Sequence, residues 1–187
     1  MGDEALLVEK AKKGDMVAFE ELVSLYAKKI YNYCYRMTNN KEDAEDLAQE
    51  VFIKVYKNLK SFKGNSKIST WIYRIAYNTC IDKYKKGSKV DTVSLNPGKD
   101  EDAVGIELVS GDPLPEEEVI KKERYRKLQA CIAALKPEYK TVIILRDIQN
   151  YSYEEIAEIL QVPLGTVKSH ISRARAALSD ALREMLE

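Results

Sequence analysis

Asp43, Asp46 and Glu50 recur at intervals of three and four, with Gln49 beside them. On a helix that spacing gathers three carboxylates on one face. Such a face can dock a basic partner, and it can equally be a solvated surface favoured near a helix N-terminus. The residues alone leave both readings open. Further along, Trp71, Tyr73, Arg74, Tyr77, Asn78 and Tyr84 interleave aromatic rings with polar and cationic groups, and residues 67–86 hold five Lys+Arg against one Asp. Rings of this kind stack on splayed bases at ~1–3 kcal/mol each, while the cations follow phosphates. The plainer alternative is that the tyrosines pack on a neighbouring element. Lys168, Ser169, Ser172, Arg173 and Arg175 form a third set, on the polar side of an amphipathic stretch.

Bond-breaking chemistry finds no comparable set. His170 is the only histidine, and Cys34, Cys80 and Cys131 are odd in number and far apart. A disulfide framework or a zinc site is therefore not expected, and reduced thiols in a core are. The sequence offers no catalytic triad, metal cluster or phosphate-binding glycine loop. No apolar run approaches the ~20 residues that a bilayer requires. The opening MGDEALLVEKAKKGD lacks a secretory apolar core, so a cytoplasmic protein is expected.

The elements that hold these sets read as helices throughout. At 187 residues, 45% hydrophobic and 32% charged, the chain has the length for one medium or two small soluble domains. A short helix over 4–13 ends near Gly14, and Asp15 caps a long one to about Thr38. Its buried stripe is predicted as Phe19, Leu22, Val23, Tyr26, Ile30, Cys34 and Met37. Asn39 and Asn40 interrupt it. The carboxylates lie on a helix over 41–59, with Ala44, Ala48, Val51, Val55 and Leu59 inward. The loop SFKGNS precedes a helix to Lys86. Its core side is Ile68, Ile72, Ile75, Ala76 and Thr79, with Tyr73, Tyr77 and Tyr84 expected on the opposite, outward side. Helices over about 116–135 and 137–149 come next, and the run VIIL at 142–145 is ambiguous between helix and strand until its flanks are read.

Residues 151–178, YSYEEIAEILQVPLGTVKSHISRARAAL, carry the sharpest local signal. Ser152 and Glu155 make a capping box. Gln161, Val162 and Pro163 break the helix. Val167, Ile171, Ala174 and Leu178 then form one inward stripe. Two helices joined by a tight turn, the second with a basic outer face, are a helix-turn-helix.

Charge divides the chain in three. Residues 1–86 carry a net +4, residues 87–118 a net −7 and residues 119–187 a net +3, within a neutral total. Gly87 to Pro115 lacks periodicity and is rich in Gly, Pro and acid. It reads as a flexible linker between two domains, with a small apolar island at Ile106, Leu108 and Val109.

DLAQE at 46–50, STWIYRIAYNTCIDKYKK at 69–86 and EIAEILQVPLGTVKSHISRAR at 155–175 occur in one order. Together they resemble the extracytoplasmic-function (ECF) sigma factors of the bacterial sigma-70 family, across nearly the whole chain. The resemblance implies an all-α protein of two small helical domains joined by an acidic linker. It implies domain 2 over 1–86, the linker over 87–115 and domain 4, with the helix-turn-helix, over 116–187. It implies that Asp46, Gln49 and Glu50 bind core RNA polymerase. The −10 promoter element would be read and opened by Phe62, Lys63, Trp71, Tyr73, Arg74, Tyr77 and Asn78, with Phe62, Lys63, Tyr73 and Asn78 lining a pocket for a flipped base. The −35 element would be read by Lys168, Ser169, Ser172, Arg173 and Arg175, with Arg173 at a base edge and Lys168 and Arg175 on phosphates. The resemblance also implies a protein that catalyses no bond change and uses no cofactor or small-molecule substrate. An anti-sigma factor, often membrane-bound, is the implied regulator. A stand-alone helix-turn-helix regulator is the alternative, and a sigma-shaped adaptor without promoter activity is a third.

Overall fold

The computed structural model describes residues 2–87 and 115–184. The first block is α1 (Gly2–Lys12), α2 (Met16–Thr38), α3 (Lys41–Asn58), a 3-10 turn (Leu59–Ser61) and α4 (Ile68–Gly87). The second is α5 (Pro115–Ala134), α6 (Pro137–Ile143) continued by a π turn (Ile144–Ile148), α7 (Tyr153–Leu160) and α8 (Leu164–Glu184). No strand occurs among the described residues, and VIIL at 142–145 is helical and buried. Most of the acidic linker, with Ile106, Leu108 and Val109, lies outside the described residues. No described helix is long and apolar enough to cross a membrane.

Local chemistry sets the ends of the helices. Gly14 takes φ 96°, a turn that a β-carbon disfavours, and the Asp15 side chain then accepts from the Ala18 amide,. Asn39 stops α2 in the left-handed region, and Asn40 accepts from the Asp43 amide to start α3. In the second block the Ser152 hydroxyl and Glu155 carboxylate satisfy each other's backbone amides as a capping box,. Gln161, at φ 55°, ends α7 three residues before α8 begins. The π turn is marked by the Gln149 amide donating to the Ile144 carbonyl at 3.0 Å, five residues back,.

Leu22, Tyr26, Ile30, Cys34 and Met37 form the inward stripe of α2, as periodicity predicts. Phe19 and Val23 do not: they are half-buried and line a groove toward α3. On α3, Ala44, Val51 and Val55 are buried as expected and Leu47 joins them, while Ala48 is half-buried on that groove.

The two blocks pack directly on one another, so one buried cluster runs from Val8 to Ala174. The α7 helix lies on α4, and α5 and α6 lie on α2. Tyr73 sits in this seam with 1% exposure. Its ring meets Tyr33 at 5.6 Å and Tyr151 at 5.1 Å, edge to face,. The expected outward side of tyrosines on α4 is thus corrected. The aliphatic side of α4 faces its own block, and the aromatic side at Tyr73 is covered by the other block. Tyr77 is half-buried, and Tyr84 is exposed.

Polar groups thread the same seam. Lys140, only 2% exposed, donates to the Met37 carbonyl at 3.2 Å, with its ammonium 5.8 Å from the Tyr84 ring centroid. Tyr33 and Thr141 hydroxyls approach to 3.4 Å. Lys67 pairs with Glu155 at 2.8 Å, and the Arg74 guanidinium donates to the Glu158 carbonyl at 3.0 Å.

Burial lowers the Lys140 pKa from 10.5 to about 8, because the charged form loses water,. The folded chain therefore holds this proton less tightly than the unfolded chain. Below pH 8 both states are protonated and the full cost of the buried charge stands. Between pH 8 and 10.5 the folded chain carries fewer protons, so its stability rises with pH,. Lys140→Met should raise the unfolding free energy at neutral pH by about 1–3 kcal/mol. That gain should shrink by about pH 9.5, below the range where exposed tyrosines titrate, when urea denaturation of the two proteins is compared.

Candidate nucleic-acid and partner interfaces

The helix-turn-helix presents most of its expected reading face. Lys168, Ser172 and Arg173 are exposed on α8, while Val167, Ile171 and Ala174 are buried against α6 and α7. Leu178, expected inward, is half-buried. Ser169 is half-buried, and its hydroxyl donates to the Thr166 carbonyl at 2.9 Å, back into its own helix. Arg175 is exposed but engaged. Two of its guanidinium nitrogens donate to the Asp147 carboxylate, at 2.5 and 3.3 Å. That contact raises the Arg175 pKa and ties α8 to the π turn. His170 leans its ring edge to face on Tyr139 at 5.5 Å, a packing role rather than an outward one.

The residues expected at the −10 element fall into two environments. Lys63 and Asn78 are exposed. Phe62 is 9% exposed and packs on the half-buried Trp71, with ring centroids 5.4 Å apart. Tyr73 is covered by Tyr151, and Arg74 is held by the Glu158 carbonyl. Lys67, just ahead of α4, reaches across the seam. Its pairing with Glu155 raises the lysine pKa and lowers that of the carboxylate,. Burial raises the pKa of Tyr73 strongly, raises that of Tyr77 and pushes Tyr151 up to about 12. All three are neutral phenols at physiological pH.

On α3, Asp46, Gln49 and Glu50 are exposed. Asp43, the third carboxylate of the spacing argument, pairs with Lys83 on α4 and so braces the block. Glu50 pairs with Lys54 at 2.7 Å. Gln49 lines an open groove of about 670 Å³ between α2 and α3, whose walls include Phe19, Val23, Phe52, Ile53 and Tyr56. Ile53 is 53% and Tyr56 50% exposed. This apolar groove beside the carboxylates escaped the sequence reading. Its signal was present: Gln49, Phe52, Ile53 and Tyr56 recur at helical spacing, outside the inward stripe of α3.

An all-α arrangement with a capped helix-turn-helix and an exposed basic face on its second helix defines a DNA-binding protein of the helix-turn-helix class. Residues 22–90 match the family model for Sigma-70 region 2, and residues 125–178 match that for Sigma-70 region 4. The ECF RNA polymerase sigma factor SigW of Bacillus subtilis is 43% identical over 179 residues, covering 95% of this chain and 96% of SigW. The RNA polymerase sigma-H factor of Pseudomonas aeruginosa is 37% identical, covering 96% of this chain and 94% of its own length. The ECF RNA polymerase sigma-E factor of Escherichia coli is also 37% identical, covering 97% and 95%. The chain belongs to the ECF branch of the sigma-70 family, and it is an alternative sigma factor, a transcription initiation factor.

Solved structures agree on the fold. CnrH, solved with the cytosolic domain of CnrY, superposes with a TM-score of 0.69 at 22% identity, covering 96% of each chain. RpoE of Bartonella quintana, solved with the anti-sigma factor NepR, gives 0.67 at 23% identity, covering 88% of this chain and 96% of RpoE.

The Tyr73 hydroxyl is buried without a hydrogen-bond partner among the described residues. Leaving such a group dry costs free energy that a phenylalanine does not incur. Tyr73→Phe should therefore leave stability unchanged or raise it by up to about 1 kcal/mol in thermal denaturation, while Tyr73→Ala should cost about 3–5 kcal/mol.

Proposed function

We propose that this sigma factor reads promoters in two parts and binds DNA productively only when core RNA polymerase holds it. The observation that carries the reading is the open Lys168, Ser172 and Arg173 face on α8, displayed by a capped helix-turn-helix. In this reading residues 116–187 are the −35 domain. Arg173 bonds a base edge in the major groove, and Lys168 bonds a phosphate. Arg175, held by Asp147, contributes mainly by fixing the angle of α8. Residues 1–86 are the polymerase-docking and −10 domain, and residues 87–115 are the linker between the two.

Polymerase docks on α3. Asp46 and Glu50 supply charge, and the groove lined by Gln49, Phe52, Ile53 and Tyr56 supplies apolar area. The −10 element is read by α4 and the loop before it. Phe62, Lys63, Trp71, Tyr73, Arg74, Tyr77 and Asn78 are the candidate contacts. Tyr73 and Arg74 lie in the seam between the blocks, so reading requires α7 to leave α4. Polymerase supports that opening by holding the two domains at promoter distance. Extruding a base costs a few kcal/mol, which stacking on the freed rings offsets. An anti-sigma factor regulates the protein by covering the docking and reading faces. The protein acts in the cytoplasm and catalyses no bond change.

Three substitutions test this in initiation assays with purified core polymerase and genomic DNA, with transcript 5′ ends sequenced. Arg173→Ala should abolish initiation at starts that share a −35 motif, while core binding survives. Asp46→Lys and Ile53→Lys should each weaken core binding by about tenfold or more without changing the thermal transition. Core-dependent starts that persist unchanged in all three variants would overturn the site assignment.

A further inference from the structure

A second groove lies on the opposite flank of α2 from the proposed polymerase site. It runs between α1 and α2, has a volume of about 810 Å³ and is lined by Asp3, Glu4 and Leu7 from α1. From α2 come Val17, Glu20, Glu21, Ser24 and Leu25. The last four lie three, four, seven and eight residues beyond Val17, so the five share one continuous helical face. Val17 is 66% and Leu25 54% exposed. With Leu7 they line one groove, and contiguous apolar surface of this kind marks interaction sites, unlike hydrophobics scattered singly,.

The charge is one-sided. Every ionisable side chain lining the groove is a carboxylate, and none is basic. The walls are also held in place. The Tyr26 hydroxyl, on the inward side of α2, donates to the Glu4 carboxylate at 2.5 Å and pins α1 across the helix. The turn at Gly14 and the Asp15 cap set the other end. A groove of this kind repels nucleic acid and anionic membrane surfaces. It also repels the chain's own connector, since residues 87–118 carry a net −7.

We propose that the α1/α2 groove is a protein-docking site for a basic amphipathic helix, separate from the α2/α3 groove that serves polymerase. An aliphatic stripe on the incoming helix covers Val17, Leu7 and Leu25. Lysines or arginines flanking that stripe meet Asp3, Glu20 and Glu21. From Val17 to Leu25 the floor is about 12 Å long, enough for roughly two turns of a partner helix. The apolar contact supplies affinity, and the carboxylates select sign and speed association.

The test uses the full chain and a fluorescent synthetic helix of about 18 residues, built from leucines on one face and lysines on the other. A second peptide replaces each lysine with glutamate. Fluorescence anisotropy should show the lysine peptide binding, more weakly as salt rises, and the glutamate peptide failing to bind. Val17→Asp, at an exposed position that folding tolerates, should weaken binding by about tenfold or more, and Glu20→Lys with Glu21→Lys should do the same. Ile53→Lys, in the other groove, should leave it unchanged, and circular dichroism should show all variants folded. No binding of the lysine peptide, equal binding of both peptides, no effect of Val17→Asp, or equal loss in Ile53→Lys would each overturn the proposal. Because initiation by polymerase plays no part in the measurement, its outcome is independent of the promoter-reading roles assigned above.

Discussion

The contact of α7 on α4 governs which surfaces of this sigma factor are open. It buries Tyr73 between a tyrosine from each block and holds Arg74 to a carbonyl of α7. Beside it, α6 sinks Lys140 against the last turn of α2. The seam is mainly apolar and aromatic, with one costly cation inside it. The surface ion pair between Lys67 and Glu155 adds little energy because the lysine side chain is 73% exposed,. Cohesion therefore comes from ring packing and aliphatic burial, and the polar contacts set the register of the two blocks. The outer face of α8 lies away from the seam and stays open in the same arrangement.

Much of this was legible in the sequence because local chemistry determined it. The Asp15 cap, the break at Asn39 and Asn40, the capping box of Ser152 and Glu155, and the break at Gln161 to Pro163 all depend on residues within a few positions of one another. The inward stripes of α2 and α8 come from helical period. The resemblance to ECF sigma factors rested on motif order, and family models and relatives bear it out.

The features that escaped the sequence depended on distant partners. Periodicity could show that α4 has an aromatic side, but not that Tyr151 would cover part of it. Nothing near Lys140 in sequence announces its burial. Arg175 looked free for a phosphate until the π turn brought Asp147 to it. Phe19 and Val23 fit the apolar stripe of α2 by spacing, and only the placement of α3 leaves them in a groove. A helix wheel sorts residues by angle, whereas burial depends on the elements that arrive from elsewhere.

The π turn at Ile144–Ile148 has a consequence for how this fold tolerates change in chain length. A π turn accommodates about one residue more than an α turn over the same rise, and it shifts the angular phase of the residues after it. Here that phase brings Asp147 round to the Arg175 guanidinium. Losing a single residue in this stretch could leave an unbroken α-helix with every apolar side chain present. The phase would nevertheless slip by roughly a quarter turn. The α8 helix would lose its brace and aim its basic edge elsewhere. A one-residue deletion here is then a change of bearing rather than of composition, and the turn acts as the protractor against which α8 is set.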